Sequence, residues 1–151
     1  MRVAIATDHA GFILKALVIE QVRSLGHQPV DLGTWDTTPV DYPDFVAPAA
    51  RAVAAGDCDR AIVLGGSGTG EAIVANKVPG IRCVEASDPV VAHLGRLHND
   101  CNALSMGGRI VGAEVARACV TEFLTTDFEG GRHARRLDKI RALEEETRGA
   151  Q

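Results

Sequence analysis

Residues 61–71 read AIVLGGSGTGE, and the reading of this stretch decides the fold. Ala61–Leu64 is a short apolar run, the pattern of a strand buried on both faces. The glycines then lead into a helix expected from about Thr69 to Asn76. Working outward, the same alternation recurs along the chain. Arg2–Thr7 reads as a buried strand. Gly11–Leu25 reads as an amphipathic helix with apolar residues at Phe12, Leu14, Leu17, Val18, Val22 and Leu25, stopped by Gly26. Pro29–Leu32 is a second strand, and Gly33–Asp44 a loop. Phe45–Ala55 is a helix, Ile81–Ala86 a fourth strand, and Ala103–Met106 a fifth. Ser87 or Asp88 caps a helix that has Pro89 in its first turn and reaches about Leu97. Gly112–Leu124 and Arg132–Glu146 complete the helices.

This alternation predicts an α/β fold, a parallel sheet covered by helices on both faces. Ligands of such sheets bind at the carboxyl ends of the strands. Asp8-His9 follows the first strand, the glycine loop follows the third, and Gly107–Arg109 follows the fifth. His98-Asn99 precedes the fifth strand. The expectation is that most of these polar residues gather at one edge of the sheet.

A chain of 151 residues with no repeat, low-complexity tract or linker is expected to form one domain over 1–151. Hydrophobic residues make up 46% and charged residues 24%, ordinary values for a globular protein. The net charge of -4 argues against general nucleic-acid binding. No apolar run is long enough to cross a bilayer. The four cysteines (Cys58, Cys83, Cys101 and Cys119) form no C-x-x-C pair, and no secretory segment precedes the first strand. The expectation is a cytoplasmic protein whose reduced thiols fill small packing sites. No His/Cys/Asp/Glu spacing reads as a metal site.

The glycine loop nearly spells a P-loop, but Glu71 stands where that loop needs lysine. The dinucleotide spacing G-x-G-x-x-G also fails, because its third glycine falls on Glu71. A plain strand-to-helix turn is the simplest alternative. The functional reading starts from the N–H groups of a glycine-rich loop at a helix N-terminus, which stabilise negative charge. That charge can be the oxyanion of an enediolate. A carboxylate beside such a nest then acts as the base that removes a proton from carbon. The helix N-terminus lowers the pKa of Glu71 and burial raises it; sequence alone leaves the winner open.

The chain also resembles a known family. DHAG at Asp8–Gly11, DYPDF at Asp41–Phe45, GGSGTGE at Gly65–Glu71, ANKVPGIR at Ala75–Arg82, HND at His98–Asp100, GGR at Gly107–Arg109 and RHARR at Arg132–Arg136 run in the order of the ribose-5-phosphate isomerase B family, which includes galactose-6-phosphate isomerase subunits. The resemblance implies a Rossmann-like α/β/α sandwich with a five-stranded parallel sheet and a C-terminal helix. It implies a homodimer with active sites at the interface, with pairing into tetramers left open. It implies cofactor-free interconversion of aldose and ketose phosphates through an enediolate. Some members use a cysteine base at the end of the third strand. Here that position is Gly65, and the subgroup lacking the cysteine uses a glutamate at the position of Glu71.

The same resemblance makes His98 the ring-opening histidine, against the plainer reading of a surface residue at a helix end. Asn99 and Ser67 are placed to hydrogen-bond sugar or enediolate oxygens. Asp8 binds sugar hydroxyls or helps open the ring, unless it only caps the first helix. Tyr42 lines the pocket, and Gly66, Gly68, Thr69 and Gly70 form the nest. Arg109, Arg132 and Arg136 match the phosphate-binding positions, with His9 and His133 as helpers. Arg132 and Arg136 are four apart and can face one way on a helix. The default substrate is ribose 5-phosphate, with a tetrose or hexose phosphate as the alternative. A non-catalytic phosphate- or nucleotide-binding module is the competing class. No metal or cofactor is called for.

Overall fold

Alternating side chains build the central sheet. In β1 (Arg2–Thr7), Val3 and Ile5 point to one face and Ala4 and Ala6 to the other, as a pleated strand requires. The computed structural model describes residues 1–149. After β1 come α1 (Phe12–Ser24), β2 (Gln28–Asp31), α2 (Pro43–Ala54), β3 (Arg60–Gly65), α3 (Thr69–Ala75), β4 (Cys83–Glu85), α4 (Pro89–Asn99), β5 (Ala103–Gly107), α5 (Ala113–Thr125) and α6 (Arg132–Gly149). All pairings are parallel, in the order β2-β1-β3-β5-β4. This is the α/β layering and five-stranded parallel sheet expected from the sequence.

The two faces differ in grain. Val18 and Val22 of α1, Ala92 of α4 and Phe123 of α5 pack on Val3, Ile5, Ile62 and Leu104. On the other face, Val46, Ala49 and Ala50 of α2 and Ala75 of α3 meet Ala4, Ala6, Ala61 and Ala103. Alanine on both sides lets α2 and α3 lie close against the strands. No helix among the described residues is long and apolar enough to cross a membrane.

Element ends follow local chemistry. Asp88 supplies the cap of α4, its Oδ1 accepting from Val90 N–H at 2.7 Å. β4 is shorter than expected because it pairs with β5 alone, and only over Cys83–Glu85. Ile81 N–H instead closes a turn onto Val78 C=O at 3.1 Å. α6 runs to Gly149, past the expected end at Glu146.

β1 connects outward to β2, whereas β3 starts the other half of the sheet. Loops leaving β1 and β3 therefore diverge, and the crevice between them is where such sheets bind ligands.

Candidate active site

The carboxylate of Glu71 sits folded back onto the end of β3. It belongs to the first turn of α3 and is 3% exposed. A side chain at Gly65 would collide with its carboxylate oxygens. A base carried on a side chain at position 65 and the observed carboxylate of Glu71 thus exclude each other in space. Gly68, which caps α3, has φ +84, a conformation that side chains rarely adopt. Its C=O accepts from the buried Ser105 hydroxyl at 2.6 Å. The loop is laced to the end of β5 by Gly108 N–H on Gly65 C=O (2.8 Å) and Arg109 N–H on Gly66 C=O (3.0 Å).

Burial wins the contest over the pKa of Glu71. It pushes the carboxyl above its ordinary value, and the negative charge of Asp8 adds to the shift. The N–H groups of Glu71 and Gly68 donate to the carboxylate and oppose the shift without reversing it. Those two donors are therefore engaged. The N–H groups of Gly66 and Ser67 make no hydrogen bond within the described chain. These two are the candidate oxyanion donors.

Around the carboxylate lies an open cavity of about 380 Å³, lined by Asp8, His9, Tyr42, Ser67, Arg109 and Glu71, with Ala10, Gly66, Gly70 and Ile110. Asp8 uses one oxygen structurally: Oδ1 accepts from the N–H groups of Ala10 (2.8 Å) and Gly11 (2.9 Å). Its other oxygen is left over. His9 Nδ1 accepts from Val40 N–H at 3.2 Å, which holds the ring in the tautomer with its proton on Nε2. Tyr42, just before α2, packs its ring against Gly70. Arg109 extends over Gly66. Gly68 and Thr69 do not line the cavity; Gly68 is buried beneath it and Thr69 is exposed.

His98, Asn99, Arg132, His133 and Arg136 are not part of this cavity. Of the residues expected at one sheet edge, Asp8, His9, the glycine loop and Arg109 gather there, and His98 and Asn99 do not. A helix that leads into a parallel strand ends at that strand's amino edge, so the last residues of α4 lie across the sheet from Glu71. There His98 stacks on His133 of α6, ring centroids 4.3 Å apart and planes within 9°. Glu129 joins them, its Oε2 lying 3.1 Å from His133 Nε2 and 3.9 Å from His98 Nε2. Burial foremost, then the nearby cations, lowers the pKa of His133. The end of α4 is fixed by Asp100, which adopts φ 45 and binds Arg82 at 3.0 Å and Arg96 at 2.8 Å. The arginine ion pairs of the described chain use Arg82, Arg96, Arg117 and Arg141. Arg109, Arg132 and Arg136 pair with no carboxylate among the described residues and remain available to an anion.

Sequence reasoning missed three things. Ile110 lines the cavity, and its place after Gly107–Arg109 could have flagged it. Glu129 carries no local signal. The third is a clamp on the segment that follows β2: buried Lys15 binds Asp31 at 2.7 Å and Thr34 C=O at 2.5 Å, with its ammonium 4.4 Å from the centre of the Trp35 ring. It pins the segment that carries Val40 to His9. The cysteines are free, three buried and Cys83 half-buried. Burial raises all four thiols, Cys101 and Cys119 to about 11, so none is a ready nucleophile.

Residues 3–140 match the Ribose/Galactose Isomerase family. The chain is 42% identical over 144 residues to ribose-5-phosphate isomerase B of Escherichia coli K12, spanning 95% of this chain and 97% of that one. Its fold is similar to that of Clostridium thermocellum ribose-5-phosphate isomerase B, with TM-score 0.95, 42% identity, and coverage of 97% of this chain and 99% of that chain. It is also similar to Mycoplasma genitalium ribose-5-phosphate isomerase B solved with bound ribulose-5-phosphate, with TM-score 0.90, 37% identity, and coverage of 96% and 97%.

Proposed function

The chain belongs to the ribose/galactose isomerase family, and from that premise we propose that it is a type B ribose-5-phosphate isomerase whose catalytic base is Glu71. The observation that carries the assignment of the base is a buried carboxylate, raised in pKa, beside two backbone N–H groups without partners. Open-chain ribose 5-phosphate carries an aldehyde at C1 and an acidic C–H at C2. Glu71 takes the C2 proton. The N–H groups of Gly66 and Ser67 hold the charge that develops on the C1 oxygen. The hydroxyl proton of O2 passes to O1, and Glu71 returns the carbon proton to C1, leaving a hydroxyl on C1 and the ketone at C2. One C–H and one O–H bond break and one of each forms, so no external oxidant enters. A carboxylate of raised pKa is the stronger base for this transfer.

The remaining groups bind and prepare the sugar. Asp8, through its second oxygen, and the Nε2–H of His9 face sugar hydroxyls and phosphate. Tyr42 and Ser67 bound the pocket, and Arg109 neutralises phosphate charge. A homodimer supplies the rest: the partner subunit's His98 opens the furanose ring, with the partner subunit's Asn99 on a sugar oxygen, and the partner subunit's Arg132, His133 and Arg136 complete the phosphate site. The separation of the two residue groups to opposite sheet edges supports this arrangement, because neither group is a complete site. Phosphate binding energy then orients the distant reacting carbons. The enzyme works in the cytoplasm as a single-domain subunit.

The test is an isomerase assay without added cofactor on ribose 5-phosphate, erythrose 4-phosphate and allose 6-phosphate, with Glu71→Gln alongside. Ribose 5-phosphate is expected to turn over fastest, and the variant to lose about 10³-fold in kcat. A variant as active as the parent would remove Glu71 from the mechanism.

A further inference from the structure

We propose that His98, Glu129 and His133 form a binding site for a divalent transition-metal ion, zinc above all, and that its occupation inhibits the enzyme. The three side chains come from separate parts of the chain: the end of α4, the loop before α6, and the first turn of α6. Each offers one ligand atom, and these atoms lie within 4.8 Å of one another. Two imidazoles and a carboxylate form the donor set of open zinc sites, which keep a fourth position for water or another ligand. Nitrogen-rich sites of this kind favour zinc and copper over magnesium or calcium.

The geometry is partly organised already. Stacked rings with planes within 9° present their edges in parallel. His133 is buried and fixed, with its Nε2 3.1 Å from Glu129 Oε2. Glu129 is tethered through its N–H to Leu97 C=O at 2.9 Å, while its carboxylate is half exposed and free to swing onto an ion. One interaction must yield: Arg132 Nε donates to His133 Nε2 at a long 3.4 Å. The neighbouring charges of Arg132 and Arg136 weaken cation binding, which makes this a reversible site rather than a permanent structural one. The inhibitory consequence rests on the reading of His98 above. An ion takes the imidazole lone pair that ring opening needs.

Titration of metal-free enzyme with zinc, in competition with a chromophoric chelator, is expected to show one such site per chain. Glu129→Gln is expected to weaken it by at least about tenfold. Cobalt(II) in place of zinc is expected to give ligand-field absorption without a thiolate charge-transfer band, which separates the site from the cysteines. Zinc is expected to inhibit the parent enzyme, with recovery on adding EDTA, and to spare Glu129→Gln relative to its own zinc-free rate. Zinc affinity unchanged in both Glu129→Gln and His133→Gln would overturn the site. Site-specific binding with undiminished turnover would overturn the inhibition and the role of His98 together. Inactivity of the metal-free enzyme on every sugar phosphate would instead strike the isomerase reading and leave the metal site standing.

Discussion

Asp8 and Glu71 are two carboxylates in one cavity, and the charge on the first adds to the burial that raises the pKa of the second. Replacing Asp8 by asparagine removes the like charge but keeps an oxygen for the Ala10 and Gly11 N–H groups. The pKa of Glu71 then falls. The acid limb of the kcat/KM–pH profile is expected to move to lower pH in Asp8→Asn, and titration of the rate will show it. The same tension reaches stability. A carboxyl whose pKa is higher folded than unfolded binds its proton more tightly in the folded state. Its contribution to stability is complete below the unfolded value, about 4.5, and is lost as pH rises through the folded value. Glu71→Gln carries no charge to bury, so its Tm at neutral pH is expected to exceed that of the parent, a gain that disappears in acid. Thermal unfolding at two pH values checks it. Greater stability with lost turnover is the usual signature of a strained catalytic group.

At the scale of elements, the segment between β2 and α2 hangs on Lys15. Its ammonium is 5% exposed by residue and satisfies Asp31 and Thr34 together. Lys15→Met is expected to cost about 2 kcal/mol, below the range for a fully buried pair because Asp31 stays partly solvated. It is also expected to raise KM more than it lowers kcat, since the loosened segment releases His9 from Val40. Urea unfolding and steady-state kinetics separate the two effects. This clamp illustrates what sequence does and does not carry. The strands and helices were legible because burial writes itself as apolar runs and 3.6-residue spacing. The glycine loop was legible because its glycine count exceeds what a turn needs. Lys15 was not, because a buried lysine inside an apolar helix face looks like any surface lysine until its partner strand arrives. The place of His98 has a different cause: a helix leading into a parallel strand delivers its last residues to that strand's amino end, across the sheet from Glu71.

For the whole molecule, the division of candidate residues between two edges is decisive. A single chain brings Glu71, Asp8 and Arg109 to one cavity and His98 and His133 to another surface. If complete sites form only between subunits, two inactive variants can rescue each other. Mixing unfolded Glu71→Gln and His98→Gln chains and refolding them together is expected to restore about a quarter of parental activity. Half of the random dimers are then mixed, and each mixed dimer holds one intact site of two. Either variant refolded alone should stay inactive, and a mixture no more active than its components would place the whole site within one chain.

The strand order also sets a timetable. β5 is the last strand in sequence, yet it lies between β3 and β4. On a chain still leaving the ribosome, β4 is made before it has any neighbour to pair with, and β3 keeps one edge open. The loop that holds Glu71 takes its shape from Ser105, Gly108 and Arg109, all made after it. A nascent chain therefore carries Glu71 for some forty residues of synthesis before the support for that carboxylate exists. The cavity around Glu71 cannot take shape before the sheet closes.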